Sequence, residues 1–131
     1  MSEVNRFSII DLLDRALRVV KVKGNTRMSN VNNLLEVLES ERDEIGSIYL
    51  TAAFALRQAS RRVLDQRMAT EVASNLIEIA SSNVPNKKQV ARKFLGLVRW
   101  LFEVSDRMNL NLSGVQRFED LIKSIGRGGL S

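Results

Sequence analysis

Apolar side chains along this chain recur at three- and four-residue intervals, and caps and breakers divide them into six segments of helical length. Ser8, followed three residues on by Asp11, has the spacing of a capping box and opens the amphipathic run IIDLLDRALRVVKV, which stops at Gly24. The spacing predicts a first helix over residues 9–22. Beyond a polar loop at 24–29, the series Val31, Leu34, Leu35, Val37 and Leu38 marks a second helix that ends near Glu41. A third follows from Asp43. Its stripe of Ile45, Ile48, Tyr49, Ala52, Ala53, Leu56 and Ala59 is rich in small residues, so another helix is expected to pack closely against it. Asp65 is placed to cap a fourth helix with inner positions Met68, Val72, Leu76, Ile77 and Ile79 or Ala80, before the breaker SSNVP at 81–85. Asn86 stands as the cap of a fifth helix over 86–108. Ser113 and Gln116 repeat the box ahead of VQRFEDLIKSI, a sixth helix that closes at Gly126.

Strand-like alternation is rare and the connections are short. The expectation is one all-α domain over residues 1–131, a compact bundle of about five to six helices with antiparallel neighbours, and a short flexible tail at 127–131. A chain of 131 residues, 44% of them hydrophobic, has room for one real core.

Missing residue types narrow the chemistry. The chain has no Cys and no His, which excludes disulfides and thiolate metal sites and removes the commonest metal ligand and the usual general base. No catalytic residue, cofactor or metal is therefore assigned. No apolar run is long enough to span a bilayer, and the amino terminus MSEVNRF lacks the apolar stretch of a signal peptide, so a cytoplasmic location is expected.

Charge points toward a polyanion. Lys and Arg number 20 against 15 Asp and Glu, a net charge of +5. Residues 1–56 hold seven basic and eight acidic side chains, whereas residues 57–131 hold thirteen basic and seven acidic ones. On the wheel of the fifth helix Lys88, Arg92 and Arg99 fall within about 40° of one another, opposite Phe94, Val98, Leu101 and Phe102. Gly96 lies on the basic side, where the absent side chain would let another backbone approach. With Lys87 and Lys93 the stripe has the makings of a phosphate-binding surface, in which Arg forks bond bidentately and Lys acts as a point charge. Arg57, Arg61 and Arg62 form a second cluster at the end of the third helix.

Each feature also has a plainer reading. The basic stripe resembles any solvated helix face, and Asp65, four residues after Arg61, is placed to pair with it. Trp100 is expected to be a half-buried core aromatic rather than a base-stacking platform, and Tyr49 and Phe54 likewise. Aromatic content of only 5% favours a binder that reads backbone charge. Glu36, Glu39, Glu41, Asp43 and Glu44 straddle a helix end without metal-ligand spacing and are read as a hydrated or docking surface. Opposite a basic half of the molecule, they would suit contact between copies of the chain.

Three segments in order, TRMSNVNNLLEVL, IYLTAAFALRQASRR and KKQVARKFLGLVRWLFEVSDRM, resemble the small subunit of type III (Csm-type) CRISPR effector complexes over roughly residues 26–108. In that family a Thr/Ser-led helix precedes one of the form Tyr-Leu-x-x-x-Phe that runs to Ala-Gly-Arg. A later helix begins with lysines and continues Phe-Leu to an aromatic pair. Tyr49, Leu50 and Phe54, then Ala59, Ser60 and Arg61, then Lys87, Lys88, Phe94, Leu95 and Trp100 look like those positions, with Ser60 where the family often has Gly. The resemblance implies a non-catalytic helical bundle that stacks in several copies inside a multi-subunit ribonucleoprotein. It also implies that basic residues, here Arg57, Arg61, Arg62, Lys87, Lys88, Arg92, Lys93 and Arg99, contact the backbones of guide and target RNA. A viral coat or scaffold subunit that wraps nucleic acid, and a protein–protein adaptor, are the competing expectations.

Overall fold

Six α-helices carry the residues that the computed structural model describes, 6–126: α1 (Ile9–Lys21), α2 (Met28–Ser40), α3 (Glu44–Ser60), α4 (Gln66–Ser81), α5 (Lys87–Arg107) and α6 (Phe118–Gly126). No strand occurs among the described residues. The expected tail at 127–131 lies outside them. No helix is long and apolar enough to cross a membrane.

The longest helix, α5, is the axis of the bundle and touches α1, α2, α3 and α4. Its inward face, with Ala91, Phe94, Leu95, Val98, Leu101 and Phe102, meets Leu12, Leu17, Leu34, Leu38 and Ile48 in one contiguous core. Each fully buried side chain of this size contributes roughly 1.5–3 kcal/mol of transfer free energy. The α2 and α5 helices run antiparallel. Glu39, late in α2, meets Arg92, early in α5, while Met28 and Asn32 line a groove with Arg99 and Arg107.

Local caps set three of the helix starts. The Ser8 hydroxyl accepts from Asp11 N, Asp43 accepts from Gly46 N, and Asp65 accepts from Arg67 N and Met68 N, each at a position read from sequence. Two other starts differ from expectation. Asn86 precedes α5 in a left-handed conformation (φ 56°) and makes no side-chain cap, since a capping side chain needs the extended backbone that the other caps adopt. The Ser113–Gln116 box does not form. Ser113 bonds Asn111 instead, and α6 begins at Phe118, whose N–H donates to Asp14 Oδ1 of α1 at 2.8 Å. A tertiary partner 104 residues away in sequence replaces the local one.

The face of α3 is also rotated from the expected stripe. Ser47, Ile48, Thr51, Ala52, Ala55 and Gln58 are buried, whereas Tyr49, Ala53 and Leu56 are exposed. Ser47 and Thr51 tolerate burial because their hydroxyls donate to the carbonyls of Glu44 and Ser47 in their own helix. Small side chains on this face (Ala52, Ala55) and on α4 (Ala69, Ala73) suit the close α3–α4 contact, the most extensive pairing in the fold. On α4, Ile77 points outward while Asn75 is buried.

Asn75 belongs to a network that fastens α1 to α4. Arg15 is buried and donates to Asp11 at 2.7 Å, to Asn75 at 2.9 Å and to Glu78 at 2.6 and 3.1 Å, while its guanidinium lies 4.7 Å from the centre of the Phe7 ring. Arg6 adds a third bond to Glu78 at 2.8 Å. The bonds from Arg15 above all, and from Arg6, hold the Glu78 carboxyl at about 2, well below its ordinary value of about 4.5. Arg15→Met should therefore cost about 2–3 kcal/mol in urea denaturation at neutral pH, near the low end for a broken buried pair because Glu78 is partly solvated. A carboxyl with a depressed folded-state pKa stabilises fully above its unfolded value and loses that contribution as pH falls toward the folded one. The stability gap between the natural chain and Glu78→Gln is thus expected to close between about pH 4.5 and about 2. A gap that stays constant across that window would contradict the assignment.

Candidate nucleic-acid interface

The cations singled out from sequence divide by what their side chains touch. Lys87 donates to the carbonyl of Ala80 at 3.1 Å, in the last turn of α4, and Lys88 to the carbonyl of Glu41 at 2.6 Å, just beyond α2. Neither α2 nor α4 has a basic residue in its own last turn. The two lysines supply the positive charge that a helix C-terminus favours, although each opposes the dipole of α5, at whose N-terminus it sits. Arg92 grips Glu39 with two bonds, at 2.5 and 3.1 Å. The Arg92 guanidinium, with Lys88 nearby, holds the Glu39 carboxyl below the usual range. Both partners are about half exposed, so this pair orients side chains more than it stabilises the fold.

Arg57, Arg61, Arg62, Lys93 and Arg99 form the other group. All five are exposed, and among the described residues none has a side-chain hydrogen bond or an ion pair. Asp65 does not pair with Arg61. The chain reverses at Arg62 (φ 63°), and the carboxylate turns to Arg67 and to the first N–H groups of α4. On its other side Asp65 packs against Gly24, whose left-handed backbone (φ 53°) and lack of a Cβ make that contact possible.

Two of these cations, Arg57 and Arg99, lie on opposite sides of α2. Arg57 borders a groove between α2 and α3 with Val37, Ser40 and Leu50, whereas Arg99 borders one between α2 and α5 with Met28, Asn32 and Arg107. The amino-terminal half of α2 between them carries neutral polar groups, Ser29, Asn32 and Asn33. The single stripe expected from the α5 wheel is therefore interrupted. Its first half is used to tie helices together, and Arg99, further along, faces the start of α2. Arg27, an exposed residue at the N-cap position of α2, joins this end of the molecule because Asn30, one turn on, bonds the Val63 carbonyl beyond Arg62. Its place in the acidic half of the sequence hides it from a count of charge along the chain.

Trp100 is not a core aromatic. It is 66% exposed and is followed on the same side of α5 by Val104 and Met108, both exposed. Gly96, one turn earlier, opens onto free space, with nothing within 4 Å of where a Cβ would stand, so no close helix approach occurs there within the chain. Tyr49 is likewise exposed, and Phe54 is half-buried at the α2–α3 groove. The acidic side chains Glu36, Glu41, Asp43 and Glu44 are exposed around the α2–α3 turn, and no group of three or more carboxylates able to hold a metal occurs among the described residues.

Arginine forks, point-charge lysines and amide groups on one side of a bundle can neutralise and orient an anion. No family model, curated protein or solved structure matches the chain.

Trp100, the sole tryptophan, reports on this surface directly. With Arg99 beside it and Lys93 two turns away, its fluorescence should be quenched more efficiently by iodide than by caesium at equal ionic strength. Equal quenching by the two ions, or none by either, would contradict an exposed indole in a positive potential.

Proposed function

We propose that this chain is a non-catalytic small subunit of a type III-like CRISPR ribonucleoprotein effector complex in the cytoplasm. Several copies would stack beside other subunits and hold guide or target RNA by its backbone in antiviral defence. The observation that carries this reading is the set of five exposed, unpaired cations, Arg57, Arg61, Arg62, Lys93 and Arg99, of which Arg57 and Arg99 border grooves on opposite sides of α2. Lys87, Lys88 and Arg92 stand behind them, where they hold helices α2, α4 and α5 in place and add to the local field.

The family resemblance adds support at the level of elements. Its three segments coincide with α2, α3 and α5, which pack on one another, so the matched residues are contiguous in the fold. The exposed Trp100, Val104 and Met108 beside the α5 cations suit a subunit that meets protein neighbours as well as a strand.

The second reading, a helical coat or scaffold subunit wrapping nucleic acid, draws on the same cations and on the exposed apolar side chains of α3. It differs in assembling without other proteins. A protein–protein adaptor would need the cations only for an acidic partner.

Binding of single-stranded RNA should weaken with salt at a slope near −3.5 in log K against log salt, roughly −0.7 for each of about five phosphates contacted. Lys93→Gln with Arg99→Gln should reduce that slope by about 1.4 without changing the melting temperature. A flat salt response would overturn the nucleic-acid reading and leave the adaptor. Long regular filaments of the protein alone in electron micrographs would favour the coat.

A further inference from the structure

The α2–α3 hairpin is electrically polar. At its tip Glu36, Glu41, Asp43 and Glu44 are exposed beside Arg42, with Lys88 bonded to the Glu41 carbonyl and Arg92 to Glu39, and none of these four carboxylates has a Lys or Arg ion-pair partner among the described residues. At its base stand Arg57, Arg61, Arg62 and Arg27. Between tip and base the outward face of α3 is apolar, with Tyr49, Leu50 and Leu56 each almost half exposed around Ala53, and it borders the groove floored by Val37 and Phe54.

We propose that this face docks on the same face of a second copy of the chain, antiparallel, about a two-fold axis through Ala53. Such an arrangement is self-complementary, as an isologous contact must be. At 100° per residue Gly46, Ala53 and Ser60 lie within about 20° of one line, so side chains at the centre and at the Ser60 shoulder are small, while the capping Asp43 carboxylate lies over Gly46 at the other shoulder. The two-fold through Ala53 places Leu50 against Leu56, Tyr49 against Arg57, and the Asp43–Glu44 end of one helix against the Arg61–Arg62 end of the other. A parallel pairing would instead set the carboxylates of one tip against those of the other, which like charge disfavours.

The contact is limited to one helix face about 25 Å long. It falls below the roughly 800 Å² per partner of a standard interface, so the dimer is weak and exchanges readily. In the dimer Arg57 is covered by the partner's Tyr49 and the end of α3 at Arg61 is shared with the partner's acidic tip, while Lys93 and Arg99 on α5 remain free for phosphate. A two-fold contact closes on itself, so any longer stack of copies uses other surfaces. This inference stands apart from the nucleic-acid reading and needs no ligand.

The absence of native cysteine allows a specific trap. Ala53 is exposed, so Ala53→Cys should fold normally, and the two-fold would bring the paired thiols within disulfide range. With diamide as oxidant and no nucleic acid present, Ala53→Cys should form a covalent dimer at least about ten-fold faster than Gln116→Cys, an exposed position on another element. Adding Arg61→Glu, or high salt, should slow the reaction several-fold. Equal rates for the two cysteine variants, with both chains folded by circular dichroism, would overturn the proposal and assign the apolar face to a different protein. Because RNA is left out, neither result bears on the slope measured for nucleic-acid binding.

Discussion

Every helix ends in carbonyls that its own backbone cannot satisfy, and the way this chain meets that constraint decides which of its cations are left for anything else. The ends of α2 and α4 contain no basic residue, and a neighbouring helix supplies one to each: Lys88 to the carbonyl of Glu41 and Lys87 to that of Ala80. Two adjacent lysines at the start of α5 are unfavourable for α5 itself. Their position makes sense as a tie across three helices. Arg92 extends the tie to Glu39, and by then the first half of the conspicuous basic stripe has been used in holding the bundle.

The same logic operates at the opposite corner of the fold. Arg15 sits buried where a cation alone would be costly, and Asp11, Asn75 and Glu78 surround it so that α1 and α4 are held at a defined angle. Asp14, one residue away, reaches the first N–H of α6. Charge within this bundle is thus an element of its architecture, and an excess of Lys and Arg is not by itself a measure of a ligand surface. What remains after the internal ties are counted includes Arg57, Arg61 and Arg62 at the end of α3 and Lys93 and Arg99 on α5, along with exposed Arg18, Arg27, Arg42 and Arg117 elsewhere on the bundle.

Helix order and most boundaries were legible in the sequence because they depend on residues close in the chain. Ser8, Asp43 and Asp65 cap from within three residues of their targets, and the α5 core positions follow a simple period. Contacts across long separations were not legible. Nothing near Phe118 announces Asp14, and nothing in the run RVLDQR shows that Asp65 turns from Arg61 to Arg67. On α3, apolar and small residues cover almost the whole circumference, so periodicity alone could not choose between Tyr49, Ala53, Leu56 and Ser47, Thr51, Ala55 for the inner face. Packing against α4 chose the second set, and the first was left to solvent. Among the cations named from sequence, Arg57, Arg61, Arg62, Lys93 and Arg99 are exposed and unbonded, but the sequence could not separate them from Lys87 and Lys88, whose contacts depend on where α2 and α4 end.

A paired comparison of two neutralised variants tests this division of labour most directly, by thermal unfolding and by binding to a single-stranded oligonucleotide. Replacing Lys87 and Lys88 with Gln should lower the melting temperature by a few degrees, as the loss of two helix-end charges would, and change affinity little. Replacing Arg57, Arg62 and Arg99 with Gln should leave melting unchanged and weaken binding at least about ten-fold at low salt. The reverse pattern, with the lysine pair controlling affinity and the arginines controlling stability, would contradict the account.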